Sequence, residues 1–365
     1  MKLADLPTPC LVLDRSILVS NIGAMARALA RHGVPLRPHM KTAKSIEVAR
    51  LATVGQPGGI TVSTLAEAEY FAGHGMADIL YAVGITPQKL DQIAKLNSAG
   101  AAVIVLTDDL DAAGAIASHS RPPRTLIEID TGEGRGGVLP DDDSLLEIAS
   151  RLGPCVAGVM THAGHSYAGR SPDDMVRIAE AERVGVVRAT DRLRSAGFEV
   201  PIVSMGSSPT ALHAESLAGV TEVRAGVYMF GDLFQAEIGT HGLDAIALTV
   251  LTSVIGRKPG RLLVDAGGLA LSKDHSTEAA PKDYGFGLVL DTQGRRSHGD
   301  ALVRRAYQEH GVVEPDPAYP LDLPVGAKLR IAPNHTCMTA AAHDRYYVVD
   351  GGDEVVATWS RVNGW

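Results

Sequence analysis

The sequence predicts an α/β fold: a closed, TIM-like (β/α)8 barrel followed by an all-β C-terminal domain. Three observations carry this. Between Pro35 and about Gly231, eight short β-rich runs alternate with amphipathic segments. Such alternation implies parallel strands joined by right-handed crossovers, and eight units over about 200 residues fit a closed barrel. A doubly wound open sheet is the main rival. After about Leu243 the helical period stops, and the length of 365 residues suits two domains, or one large barrel with an addition.

In chain order, CLVLD at residues 10–14 is a strand cut off from the barrel by a helix over Ser16–Arg31, so it can join the β domain. The barrel strands follow at Leu36–His39, Gly59–Val62, Ile79–Val83, Ala102–Thr107, Thr125–Asp130, Val156–His162, Ile202–Met205 and Glu222–Met229. Leu65–Gly73 and Asp173–Ala196 are the clearest helices, with apolar residues at helical spacing. In the second half, ALTVLTSVIGR, GRLLVDAGG, AKLRIAP, DRYYVVDGG and EVVATWS read as strands split by Gly, Pro and Asp turns. The expected division is a barrel over 15–243 and a β domain over 244–365, the latter joined by the N-terminal strand of 1–14. No internal repeat is evident.

Acidic residues outnumber basic ones by 42 to 34, for a formal net charge of −8. With 45% hydrophobic and 21% charged residues, the composition excludes a disordered tail protein and a collagen-like chain. Net acidity without a long Lys/Arg run argues against nucleic acid as a partner. No apolar run approaches the ~18 residues of a membrane span; the best candidate, Ala245–Ile255, carries Thr249, Thr252 and Ser253. MKLADLPTPC has no signal-peptide core. Cys10, Cys155 and Cys337 cannot all pair within one chain and are expected to be reduced, which points to the cytoplasm.

In such a barrel, chemistry gathers at the C-terminal ends of the strands. RPHMKT places Lys41 at the end of the first. A desolvated lysine there can form a Schiff base; the alternative is a surface lysine in a turn. IDTGEGRGGV, after the fifth strand, holds Arg135 among glycines, as a fixed cation or as a solvated arginine in a connector. MTHAGHSY clusters His162, His165 and Tyr167 after the sixth, types suited to hydrogen bonding or proton transfer. SMGSSPT after the seventh, with Gly206 and Ser207, can offer backbone amides and hydroxyls to a phosphate, or be an ordinary serine-rich turn. RAGVYMFG after the eighth adds Gly226 and Tyr228, where phosphate sites recur in this architecture.

In the β half, APNHTCMT sets His335 and Cys337 two apart. If extended, the segment turns both side chains the same way, and an imidazole with a thiolate suits zinc. Two protein ligands leave positions open for water and substrate. The alternative is a loop histidine beside a buried cysteine. His310, in QEHGVV, has no assigned role.

Taken together, TPCLVLD, RPHMKT, GRGGV, HAGHSY, MGSSPT, RAGVYMF, EHGVV and PNHTC, in this order, resemble the fold-type III pyridoxal-phosphate enzymes over nearly the whole chain. The resemblance is to the branch of the D-serine dehydratases and D-threonine aldolases. It implies that Lys41 holds pyridoxal 5'-phosphate covalently and later moves the Cα proton. Arg135 would lie beside the cofactor ring, and His162 and Tyr167 would line it. Gly206, Ser207, Gly226 and Tyr228 would fall in phosphate-holding segments. His335 and Cys337 would bind a divalent metal, zinc before manganese or magnesium, and the protein would be a homodimer.

Family aldolases carry His-x-Asp at the metal site and dehydratases His-x-Cys, which is what stands here. The phosphate turn MGSSPT also departs from the aldolases' glycine-rich version. The implied activity is dehydration of D-serine or a related D-3-hydroxy amino acid to a 2-oxo acid and ammonia. Retro-aldol cleavage to glycine and an aldehyde is the alternative. A racemase has no need of the metal pair, and a non-catalytic pyridoxal-phosphate carrier would resemble the barrel alone.

Overall fold

The computed structural model describes residues 1–365. Its strands are β1 (Cys10–Asp14), β2 (Leu36–Pro38), β3 (Ile60–Val62), β4 (Asp78–Gly84), β5 (Ala102–Thr107), β6 (Thr125–Ile129), β7 (Val156–Thr161), β8 (Ile202–Met205), β9 (Glu222–Ala225), β10 (Leu248–Lys258), β11 (Arg261–Val264), β12 (Leu288–Leu290), β13 (Leu302–Ala306), β14 (Gly311–Glu314), β15 (Lys328–Ala332), β16 (Arg345–Val349) and β17 (Ala357–Ser360). The chain forms two compact units, residues 24–226 with 362–365, and residues 1–23 with 227–361.

The first unit holds an eight-stranded sheet in the order β2-β9-β8-β7-β6-β5-β4-β3. Its named pairings are parallel, and a bridge between His39 and Thr61 brings the first strand to the last, closing the barrel. Leu80, Ile104, Leu106, Leu126, Ala157 and Met160 form a buried apolar cluster on β4 to β7. Alternation along the strands sends such residues to one face and leaves the intervening side chains for the other.

Helix starts follow local chemistry. Thr64 accepts the amide of Glu67 at the head of Leu65–Gly73, and Asp109 those of Asp111 and Ala112 at Leu110–Ser118. The long helix Pro172–Ser195 opens with Ser171 as cap, Pro172 in the first turn, and Asp173 and Asp174 facing the dipole.

Gly158 lets β7 lie against β8: its φ is +150°, and a side chain there would run into the Ile202 carbonyl. The strand expected over Glu222–Met229 stops at Ala225, followed by a 3-10 turn at Val227–Met229. At the break, a Cβ on Gly226 would sit 2.8 Å from the His39 carbonyl, so the backbone turns where only glycine fits.

In the second unit, β10, β11, β14, β13, β12 and β15 pair antiparallel in that order, and β10 pairs with both β15 and β11, so the six strands close on themselves. β1 joins this sheet, antiparallel to β10 and parallel to β16. Leu3, Leu6, Cys10, Val12, Leu251 and Val349 pack together around that junction. No helix of the structure is long and apolar enough to cross a membrane.

Candidate active site

A cavity of about 410 Å3 opens in the barrel unit, and it is polar. Lys41, Arg135 and His162 line it together, as do His39, Asp108, Glu128 and Arg224. Each sits at or just past the C-terminal end of a strand, where successive strands end side by side. Lys41 follows β2 in a turn and is exposed. Its backbone amide donates to His39 Nδ1 at 3.3 Å. Its neighbour Lys44 is engaged elsewhere, ion-paired to the buried Glu67 at 2.6 Å.

His162 follows β7, and its Nδ1 lies 3.0 Å from the Gly206 carbonyl. That carbonyl can only accept, so Nδ1 carries the proton and Nε2 presents a lone pair. Burial, aided by the positive field of Lys41, pushes its pKa down to about 3, so the ring is neutral. The same causes hold His39 well below the ordinary histidine range. Arg135 lies within 3.3 Å of Glu133 and 3.7 Å of Glu128. Burial raises the Glu128 carboxyl, against the pull of Arg135.

Arg224 is 3% exposed, and sequence reasoning passed over it, although it alternates with the buried Glu222 on β9. Its Nε donates to Ser204 Oγ at 2.8 Å, its Nη2 donates to the Thr161 carbonyl, and Ser204 in turn donates to Glu222 at 2.7 Å. Glu222 also accepts from Arg37 Nε at 2.8 Å, and Arg37 is ion-paired to Asp78 at 2.9 Å. A hydrogen-bonded chain thus runs inside the barrel and fixes the guanidinium that lines the cavity.

The serine-rich turn differs from expectation. The Gly206 amide donates to Glu182 Oε1 at 2.9 Å and the Ser207 amide to Thr210 Oγ1 at 3.0 Å, so neither amide is free for a phosphate. What the turn presents is hydroxyls: Ser207 Oγ lies 2.9 Å from Ser166 Oγ and 3.0 Å from Thr210 Oγ1. Ser207 caps the short helix Ser208–His213, a role that accounts for its bonds without a ligand. Tyr167 sits in the 3-10 turn Gly164–Ala168, beside Ser166. Gly226 backs the His39 carbonyl, and Tyr228 is buried in the other unit. Glu182, fully buried on Pro172–Ser195, accepts the amides of both Ala163 and Gly206 and so ties the ends of β7 and β8 together.

His335 and Cys337 belong to the β unit. The segment does not stay extended: Thr336–Ala340 is a short helix with His335 as its N-cap. Asp232 enforces this by accepting the Thr336 amide at 3.0 Å. The two side chains meet nonetheless, and Cys337 hydrogen-bonds to the imidazole. His335 Nδ1 lies 2.8 Å from Asp274 Oδ2. Burial lowers the His335 pKa, but Asp274 and Cys337 outweigh it and lift it to about 11.

His335 is thus held between the Asp274 carboxylate and the Cys337 sulfur. No group of three or more His, Cys, Asp or Glu side chains is arranged so that it could by itself hold a metal ion. Asp274, in LSKDHS, gave no signal in the sequence because 61 residues separate it from His335.

The chain matches two family models: "Alanine racemase, N-terminal domain" over residues 13–233 and "Putative serine dehydratase domain" over residues 247–349. It is 43% identical to D-threo-3-hydroxyaspartate dehydratase of Delftia sp. (strain HT23), covering 100% of this chain and 99% of the relative. A solved structure of a D-threo-3-hydroxyaspartate dehydratase, a cysteine-to-alanine variant in the metal-free form, superposes with a TM-score of 0.96 at 42% identity and 100% coverage of both chains. D-threonine aldolase from Filomicrobium marinum gives a TM-score of 0.82 at 26% identity, covering 99% of this chain and 96% of that one.

Proposed function

Because the chain belongs to the fold-type III pyridoxal-phosphate enzymes, in the branch of the D-serine dehydratases and D-threonine aldolases, we propose that it dehydrates D-threo-3-hydroxyaspartate, D-serine or a close D-3-hydroxy analogue to a 2-oxo acid and ammonia. The observation that carries the reading is the thiol of Cys337 beside a carboxylate-oriented His335, in a chain that matches a dehydratase end to end.

The cavity residues fit the cofactor. Lys41 is exposed at a mouth that also carries Arg135 and Arg224, cations suited to an anionic ligand. Pyridoxal phosphate, when bound, supplies a sink for negative charge at Cα. Lys41 would hold it, and its amine would take the Cα proton. Neutral His162 offers Nε2 as an acceptor only. Arg224, anchored through Ser204 and Glu222, keeps a fixed positive charge in the cavity.

Asp274 orients His335, and Cys337 supplies a soft anionic ligand, so zinc suits the pair. A divalent metal there supplies Lewis acidity to a hydroxyl leaving group. The reading carries with it a homodimer in the cytoplasm, a compartment that suits three cysteines that form no disulfide. The test is a product assay of the holoenzyme. Ammonia and 2-oxo acid from D-serine, without glycine from D-threonine, support the dehydratase. Glycine and an aldehyde as the main products establish the aldolase instead.

A further inference from the structure

The β unit contains a second cavity, of about 280 Å3, that shares no residue with the one around Lys41. Arg330 of β15 lines it and is 2% exposed. Its Nε donates to Thr249 Oγ1 on β10 at 2.7 Å, and it forms no ion pair. The two carboxylates whose charge acts on it, Asp14 and Asp291, are hydrogen-bonded elsewhere. Asp14 Oδ1 caps the helix that follows β1, accepting from the Ser16 amide at 3.0 Å and hydroxyl at 2.6 Å. Asp291 accepts the amides of Gln293 and Arg295, both at 2.9 Å. The turn so formed lies over the guanidinium: a Cβ on Gly294 would come within 2.9 Å of Arg330 Nη1.

A buried guanidinium with no carboxylate in ion-pair contact is costly even with the charges of Asp14 and Asp291 nearby, and arginine does not escape the cost by losing its proton. Burial lowers its pKa only to about 10, so it is charged at neutral pH. Part of the wall is apolar, with Leu243, Ile246, Leu288 and Leu290, and part is charged, with Asp14, Asp244, Arg295 and Arg296. The site therefore sets the buried fork of Arg330 beside an aliphatic wall. The Thr249 hydroxyl accepts from Arg330, which leaves its own proton to donate.

We infer that this cavity binds a small aliphatic monocarboxylate, its oxygens on Arg330 and Thr249 and its chain against the leucines and Ile246. A guanidinium matches a carboxylate in a bidentate fork. The lining carries Arg295, Arg296 and Arg330 against Asp14 and Asp244, a surplus of one positive charge, which suits a single negative charge on the ligand. The volume equals that of roughly nine waters at ~30 Å3 each, room for a chain of a few carbons.

Titration calorimetry of the holoenzyme with butyrate tests this, with 1-butanol as the uncharged control. Butyrate is expected to bind and butanol not to. Arg330→Met keeps the bulk and removes the charge, and is expected to weaken butyrate binding about 10- to 100-fold, the share of a charge-assisted pair. Leu243→Phe, at a half-buried position, is expected to exclude butyrate sterically while leaving Arg330 in place, and it decides the matter should Arg330→Met not fold. Butyrate binding that is absent from the wild type, or unchanged in the variants, overturns the proposal; unchanged binding would place the ligand elsewhere, for example around Lys41.

Discussion

Glu182 joins the ends of β7 and β8 through one oxygen. Replacing it by alanine strands the amides of Ala163 and Gly206 in the interior. At about 1–3 kcal/mol for each buried donor left unpaired, the expected loss is about 4 kcal/mol. Glu182→Gln keeps an acceptor and costs less, but it removes a titration. Burial raises the Glu182 carboxyl from 4.5 to about 7. Below pH 4.5 both folded and unfolded chains hold the proton. Above it the unfolded chain releases its proton while the folded one keeps it up to about pH 7. Stability should therefore fall as pH rises through this window, by about 3 kcal/mol, and then level off. Urea unfolding of the wild type and Glu182→Gln at pH 4.5 and 7.5 measures the difference. The variant should gain on the wild type at the higher pH. Parallel pH dependence of the two proteins would refute a protonated Glu182.

Borohydride treatment of the holoenzyme should fix the cofactor to the peptide containing Lys41; an adduct on Lys44, which is ion-paired to Glu67, would reject the assignment. Lys41→Ala should lose at least 10²-fold in turnover, the low end of what a positioned proton-transfer group contributes. Cys337→Ala should lower metal content and β-elimination together while the cofactor stays bound, as read by metal analysis and absorbance. Cys337→Asp should shift metal preference from zinc towards manganese or magnesium and raise D-threonine cleavage relative to D-serine elimination. Gly158→Ala should cost more than about 3 kcal/mol or prevent folding, because the added methyl meets the Ile202 backbone, which cannot move aside; its Tm reports this.

The barrel strands were legible because a two-residue alternation between helical stretches survives in a single sequence, and most strand ends moved by only a residue. Glu222–Met229 was read too long because its apolar run continues past Gly226, and only the approach of the His39 carbonyl shows why the strand must stop. Type and spacing pointed to His335 and Cys337 as neighbours, and they do meet, although the extended backbone assumed for them is a helical turn set by Asp232. Arg224, Glu182 and Asp274 were missed for a common reason. Each acts through a partner many residues away, so nothing local distinguishes it from an ordinary charged residue. The serines of MGSSPT show the converse: a composition suited to phosphate is here spent largely on capping a helix.

The most direct measurement follows the fate of the Cα–Cβ bond in D-threo-3-hydroxyaspartate. Elimination of water keeps all four carbons together and ends in oxaloacetate and ammonia in equal amounts. Cleavage divides them into glycine and glyoxylate, with nitrogen retained in glycine. Holoenzyme incubated with substrate labelled by carbon-13 at Cα and Cβ, followed by NMR, separates the two through the coupling between the labelled carbons. The expected spectrum keeps that coupling in the product and shows ammonia formed in step with it. Labelled glycine without the coupling, in step with substrate loss, would contradict the dehydratase.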